Sequence, residues 1–66
     1  MKFTKSTPDT ILPNETWFIC ELNGIRQPMR YEREMTWNVW WELSGDAYLD
    51  NEHEIYFLND LENEQS

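Results

Sequence analysis

From Thr16 to Tyr31 two apolar runs flank the polar dipeptide Asn23-Gly24. That dipeptide tolerates positive φ at both positions, as a two-residue type I′ turn requires if it is to match the right-handed twist of its strands. The pattern predicts a β-hairpin. If Leu22 and Ile25 close the turn, Glu21 faces Arg26, Cys20 faces Gln27, Ile19 faces Pro28, Phe18 faces Met29 and Trp17 faces Arg30. One face then carries Phe18, Cys20, Leu22, Ile25, Met29 and Tyr31, with Gln27 its polar member, and is expected to cover the core. The other face offers a Glu21–Arg26 ion pair and Arg30 over the Trp17 ring. Pro28 has no N–H to give to a further strand, so the second strand should be an edge there, or bulged.

The remainder of the chain reads less sharply. Residues 1–15 hold Pro8 and Pro13 without periodicity and predict extended chain and a turn, with Ile11 and Leu12 tucked under the sheet. Glu32 to Met35 reads as a polar connection. Trp37, Val39, Trp41 and Leu43 alternate with Asn38, Trp40 and Glu42, which predicts a third strand with the first four on its core side and Trp40 on the opposite side. Ser44-Gly-Asp is a turn, Ala47 to Leu49 a short extended piece, and Asp50 to His53 a polar loop. Glu54 to Leu58 favours a strand by propensity, with a short C-terminal helix over residues 54–62 as the alternative. The expected fold is therefore mainly β: a small antiparallel meander of three to four strands in one domain, residues 1–66, with 1–10 and 62–66 flexible.

Sixty-six residues lie near the size at which a single core is marginal. Cys20 is the one cysteine, so no internal disulfide can form, and ten aromatic rings (four Trp, three Tyr, three Phe) or a homodimer interface must supply the stability instead. No stretch approaches the ~20 apolar residues of a membrane span, and the start has no apolar run behind its lysines. With a lone inward-facing cysteine, a cytoplasmic protein is expected, in the host cell's cytoplasm if the chain is phage-encoded.

Charge changes the picture most. Residues 1–33 contain all five bases and four acids, whereas residues 34–66 contain no base and nine acids, so the halves carry +1 and −9 within a total of −8. Such a chain should avoid nucleic acid and anionic membrane and be drawn to basic protein surfaces. No catalytic motif is present, so an enzyme is not expected. Cys20 on the core face and His53 in an acidic loop do not read as a nucleophilic dyad. Asp46, Asp50, Glu52 and Glu54 miss the spacing of a calcium loop and read as a solvated acidic face, with no metal or other cofactor expected.

The order of features resembles the small domains of unknown function common in tailed phages and prophages: a Leu12-Pro13 turn, a strand with an Asn-Gly hairpin from Trp17 to Gly24, a returning strand ending in Tyr31, a tryptophan strand from Trp37 to Trp41, a Gly45-Asp46 turn and a final aromatic strand. The likeness covers about residues 8 to 61. Ile55-Tyr-Phe-Leu58 stands where that family has a His-Trp-x-Pro-Leu motif. The resemblance implies a small accessory protein of a phage or mobile element, a class in which many members inhibit host machinery. Together with the charge layout it leads to an expected acidic interaction protein that inhibits a host nucleic-acid-handling protein by DNA mimicry, an anti-CRISPR, an anti-restriction protein or a nuclease or polymerase inhibitor. Its contacts would be Glu42, Asp46, Asp50, Glu52, Glu54 and Trp40. The alternative is an oligomeric structural or accessory protein whose acidity serves solubility.

Overall fold

The computed structural model describes residues 2–59. Every regular element is a strand: β1 (Phe3–Lys5), β2 (Thr16–Leu22), β3 (Ile25–Glu34), β4 (Trp37–Glu42), β5 (Ala47–Leu49) and β6 (Ile55–Leu58). They form one antiparallel sheet in the order β1-β6-β2-β3-β4-β5. The mainly β reading holds, with six strands in place of three or four. From β2 to β5 the path is a meander; β6 then returns to fill the place between β1 and β2. Ile55–Leu58 is strand, not helix, and residues 60–62 of the alternative helix, like the tail 62–66, lie outside the described residues. Within the N-terminal segment Phe3–Lys5 pairs with Tyr56–Leu58 and Ser6 is buried.

The hairpin forms in the register set by its turn, from Leu22↔Ile25 out to Trp17↔Arg30. Asn23 and Gly24 have φ of 56° and 80°, so both central positions are left-handed. Phe18, Cys20, Leu22, Met29 and Tyr31 are all buried, and β6 adds Ile55 and Phe57 by pairing opposite Leu22 and Cys20. Ile25 departs from the expectation at 63% exposed. It sits at the hairpin tip, where β4 does not reach, since the β3–β4 ladder stops at Met29↔Glu42. That stop leaves Pro28 on a free stretch of edge, where its missing N–H costs nothing.

The tryptophan strand faces the opposite way from the sequence expectation. Met35 and Thr36 make a two-residue turn, with Met35 at φ 54°, and the turn fixes Glu34↔Trp37 and hence Tyr31↔Trp40. Residues paired across a ladder share a face, so Trp40 joins Tyr31 in the core and is fully buried. Trp37, Val39 and Trp41 move to the other side, and Leu43, past the end of β4, is 73% exposed. Leu12 packs against the core as expected, whereas its neighbour Ile11 is exposed.

The core is aromatic. Trp40 stacks on Phe57 with centroids 5.6 Å apart and meets Tyr31 edge-on at 5.1 Å, while Phe18 makes edge contacts to Tyr31, Trp40 and Phe57. Each such pair contributes about 0.5–1.5 kcal/mol beyond its buried area. Cys20 lies among these rings, and burial pushes its thiol up to about 12, so it stays protonated and inert at neutral pH.

The turn geometry makes a direct prediction. Gly24→Ala must hold a left-handed φ that Cβ disfavours and should cost about 1 kcal/mol or more, although the space around Gly24 is open. Asn23→Gly should change stability by only a few tenths of that. Equilibrium urea unfolding of both variants measures the difference, and equal small effects would exclude the type I′ turn.

Candidate functional site

Alternation along β4 puts Asn38 on the core face beside Trp40, an amide where an apolar residue would be expected. Asn38 is fully buried and its polar atoms are met from four directions. Its Nδ2 shares two hydrogens among the carbonyls of Thr7 (2.9 Å) and Thr10 (3.0 Å) and Asp50 Oδ2 (3.0 Å). Its Oδ1 accepts from the Tyr31 hydroxyl (2.9 Å) and from Arg33 Nη1 (3.0 Å). The backbone N–H of Asn38 donates to Asp50 Oδ1 (3.0 Å), and its carbonyl accepts from the Asp50 N–H (3.0 Å).

Ser6 closes this network from the far edge of the sheet. Its hydroxyl donates to Asp50 Oδ2 (3.1 Å) and accepts from the Trp40 indole Nε1 (2.9 Å), while its N–H donates to the Ile55 carbonyl (2.7 Å). Ser6 directly follows β1 and Asp50 directly follows β5, the two edge strands. The sheet is therefore curled, with side-chain hydrogen bonds rather than a ladder joining its ends.

This geometry divides the residues expected to contact a partner. Trp40 is interior and cannot be part of a contact surface. Asp50 is half-buried and both carboxylate oxygens are engaged by Ser6 and Asn38, so it holds the fold together. Sequence reasoning missed both roles because it took Asn38 and Trp40 as outward-facing; carrying the β3 pairing through Met35-Thr36 would have placed Trp40 beside Tyr31.

Asp46, Glu52 and Glu54 are exposed, and Glu42 is half-buried. Glu42 accepts from the Ser44 hydroxyl, and its backbone N–H donates to the Asp46 carbonyl (2.8 Å), which brackets the turn into β5. Tyr48 of β5 packs against the core and meets the His53 ring edge-on at 5.1 Å. The Glu42 carboxylate foremost, then burial, then Asp46 push the Tyr48 phenol above its ordinary range. Glu52 and Glu54 lie beyond the other end of β5, in the turn leading to β6, where Glu54 is 3.9 Å from Lys5 Nζ and accepts from the Tyr56 hydroxyl. Among the described residues Glu42, Asp46 and Glu52 pair with no cation.

The opposite sheet face is built differently. Trp17, Arg30 and Trp41 form one cross-strand row, with Trp17 50% and Ile19 45% exposed nearby. The Arg30 guanidinium turns to Glu32 (3.2 Å) and Glu15 (3.6 Å), and Arg26 pairs with Glu21 (3.7 Å) as expected. The cation over a ring is Arg26 on Phe3, at 4.6 Å from the centroid. The Trp41 indole nitrogen is shielded from solvent and has no acceptor.

Among the described residues no three His, Cys, Asp or Glu side chains converge as a metal site, no pocket opens, and no helix is long and apolar enough to cross a membrane. Comparison with known proteins gives no match to any family model, curated protein or solved structure.

If Glu42 and Asp46 flank Tyr48 as described, Glu42→Gln should lower the pH at which Tyr48 ionises, and Asp46→Asn should lower it by less. Spectrophotometric titration of the tyrosinate band, with Tyr48→Phe to assign it, measures both. An unchanged titration in Glu42→Gln would place that carboxylate away from the ring.

Proposed function

We propose that the chain is a small acidic interaction protein that occupies the basic surface of a nucleic-acid-handling protein, presenting carboxylates where phosphates would lie. The observation that carries this reading is the segregation of charge in the fold. Arg26 and Arg30 sit on the outer face of the hairpin with their carboxylate partners, while Glu42, Asp46 and Glu52 flank β5 without a cation. A groove lined with Lys and Arg for a duplex attracts such an array by the same potential, and the array's fixed position on a closed sheet limits the ordering cost of binding.

The contact residues of this reading are Glu42, Asp46, Glu52 and Glu54; Asp50 and Trp40 support them from within. A phage or mobile-element origin gives the reading its biological setting, as an inhibitor of host defence or of host nucleases or polymerase. A second reading, an oligomeric accessory protein, is favoured by the exposed Trp17 and Ile19.

Capture from a bacterial lysate on the immobilised protein, followed by titration of the captured partner, tests the proposal. The expected partner is a basic nucleic-acid enzyme, displaced by competing duplex DNA and weakened by salt. Replacing Glu42, Glu52 and Glu54 by Gln and Asp46 by Asn, with Asp50 untouched, should keep the fold and reduce affinity about 100-fold, if each exposed charge contributes up to ~1 kcal/mol. Unchanged affinity in that variant, or simultaneous binding of DNA and this protein, would exclude mimicry.

A further inference from the structure

The outer face of the sheet combines three properties. First, it is apolar and partly open: Trp17, Ile19 and Pro28 are exposed, with Trp37, Trp41 and Tyr56 half-buried beside them. Second, the charges at its strand positions balance, with Glu15 and Glu54 reaching Arg30 and Lys5 from the flanking turns. The strand charges with outward register are Lys5, Arg26 and Arg30 against Glu21, Glu32 and Glu34, three of each sign in a chain of net charge −8. Two copies meet less repulsion through this face than through the acidic turns around β5. Third, its charges are ordered along β3. The outward positions run Arg26, Pro28, Arg30, Glu32, Glu34, so one half of the strand is basic and the other acidic.

Such a strip is complementary to itself when reversed. We propose that two copies of this chain pack through this face about a two-fold axis that crosses β3 near Tyr31, in the plane between the sheets and perpendicular to the strand. That operation lays the arginine half of one β3 over the glutamate half of the other and brings Arg30 to the partner copy's Glu32. The row of Trp17, Arg30 and Trp41 then lies over the row of Glu32 and Val39, which adds the second copy's Glu32 to the Glu15 and Glu32 carboxylates already beside Arg30. An axis parallel to the strand would instead set arginine on arginine. The dimer is isologous, as closed two-fold pairs are, with the sheets about 10 Å apart. It covers the face that leaves a 66-residue chain short of buried apolar area and keeps Glu42, Asp46 and Glu52 at its periphery. The pairing does not depend on the partner-binding reading above.

Sedimentation equilibrium over a range of concentrations at low salt, combined with complementary charge reversal, tests it. The wild type should dimerise. Arg30→Glu and Glu32→Arg should each weaken self-association at least tenfold, and an equimolar mixture should form the heterodimer, because the carboxylate introduced in one variant then meets the guanidinium introduced in the other. Trp17→Thr, at an exposed strand position that tolerates a β-branched residue, should weaken association while leaving the far-ultraviolet circular dichroism unchanged, and serves if a reversal unfolds the chain. Neutralising Glu42, Asp46, Glu52 and Glu54 should leave the dimer intact, so failure of one proposal is distinguishable from failure of the other. A wild type that remains monomeric at several hundred micromolar, or reversals that leave association unchanged or are not rescued by mixing, would overturn the two-fold arrangement.

Discussion

The fold depends on one buried amide. Asn38 occupies a core position on β4, and an unpaired amide there would cost about 1–3 kcal/mol. Its partners come from the loop after β1, from β3 and from the residue that follows β5, so satisfying it fixes the relative position of those segments. Ser6 and Asp50 extend the network to both sheet edges and to the Trp40 indole. In a sheet without helices and with a single cysteine, this network takes the place of a disulfide or a metal site as the device that selects one closure over others.

The parts of the fold that were legible in the sequence are those governed by local chemistry. Asn23-Gly24 dictates its own turn, and six pairings follow by counting, because a two-residue loop leaves no freedom of register. The orientation of β4 was not legible from hydrophobicity, since Trp37, Val39, Trp41 and Leu43 look more like a core set than Asn38, Trp40 and Glu42. Partner geometry decides against that set: Tyr31 is inward, and Trp40 stands opposite it. The three-residue strands β1 and β5 carry too few positions to show a period, and β1 exists because β6 offers it an edge. Of the expected contact residues, Asp46, Glu52 and Glu54 are exposed and Glu42 is half-buried; Asp50 and Trp40 were drawn inward by partners distant in sequence.

The two faces of the sheet divide the work. The inner face holds the aromatic core and the polar closure, which together set the shape. On the outer face the arginines of the hairpin are matched to carboxylates, leaving the uncompensated negative charge of the described residues around β5 and in the polar turns. On the two contact proposals, desolvation of rings would drive association through the aromatic face and electrostatic potential through the acidic edge.

The central claim is that Ser6 and Asp50, 44 residues apart in sequence, join the two edges of the sheet. A double-mutant cycle with Ser6→Ala, Asp50→Ala and the double variant, read by equilibrium unfolding, addresses it most directly. The account predicts two destabilising single substitutions and a coupling of about 1 kcal/mol or more, since removing either partner already breaks the closure that the other supports. Effects that add to within ~0.3 kcal/mol would contradict it and leave the sheet open.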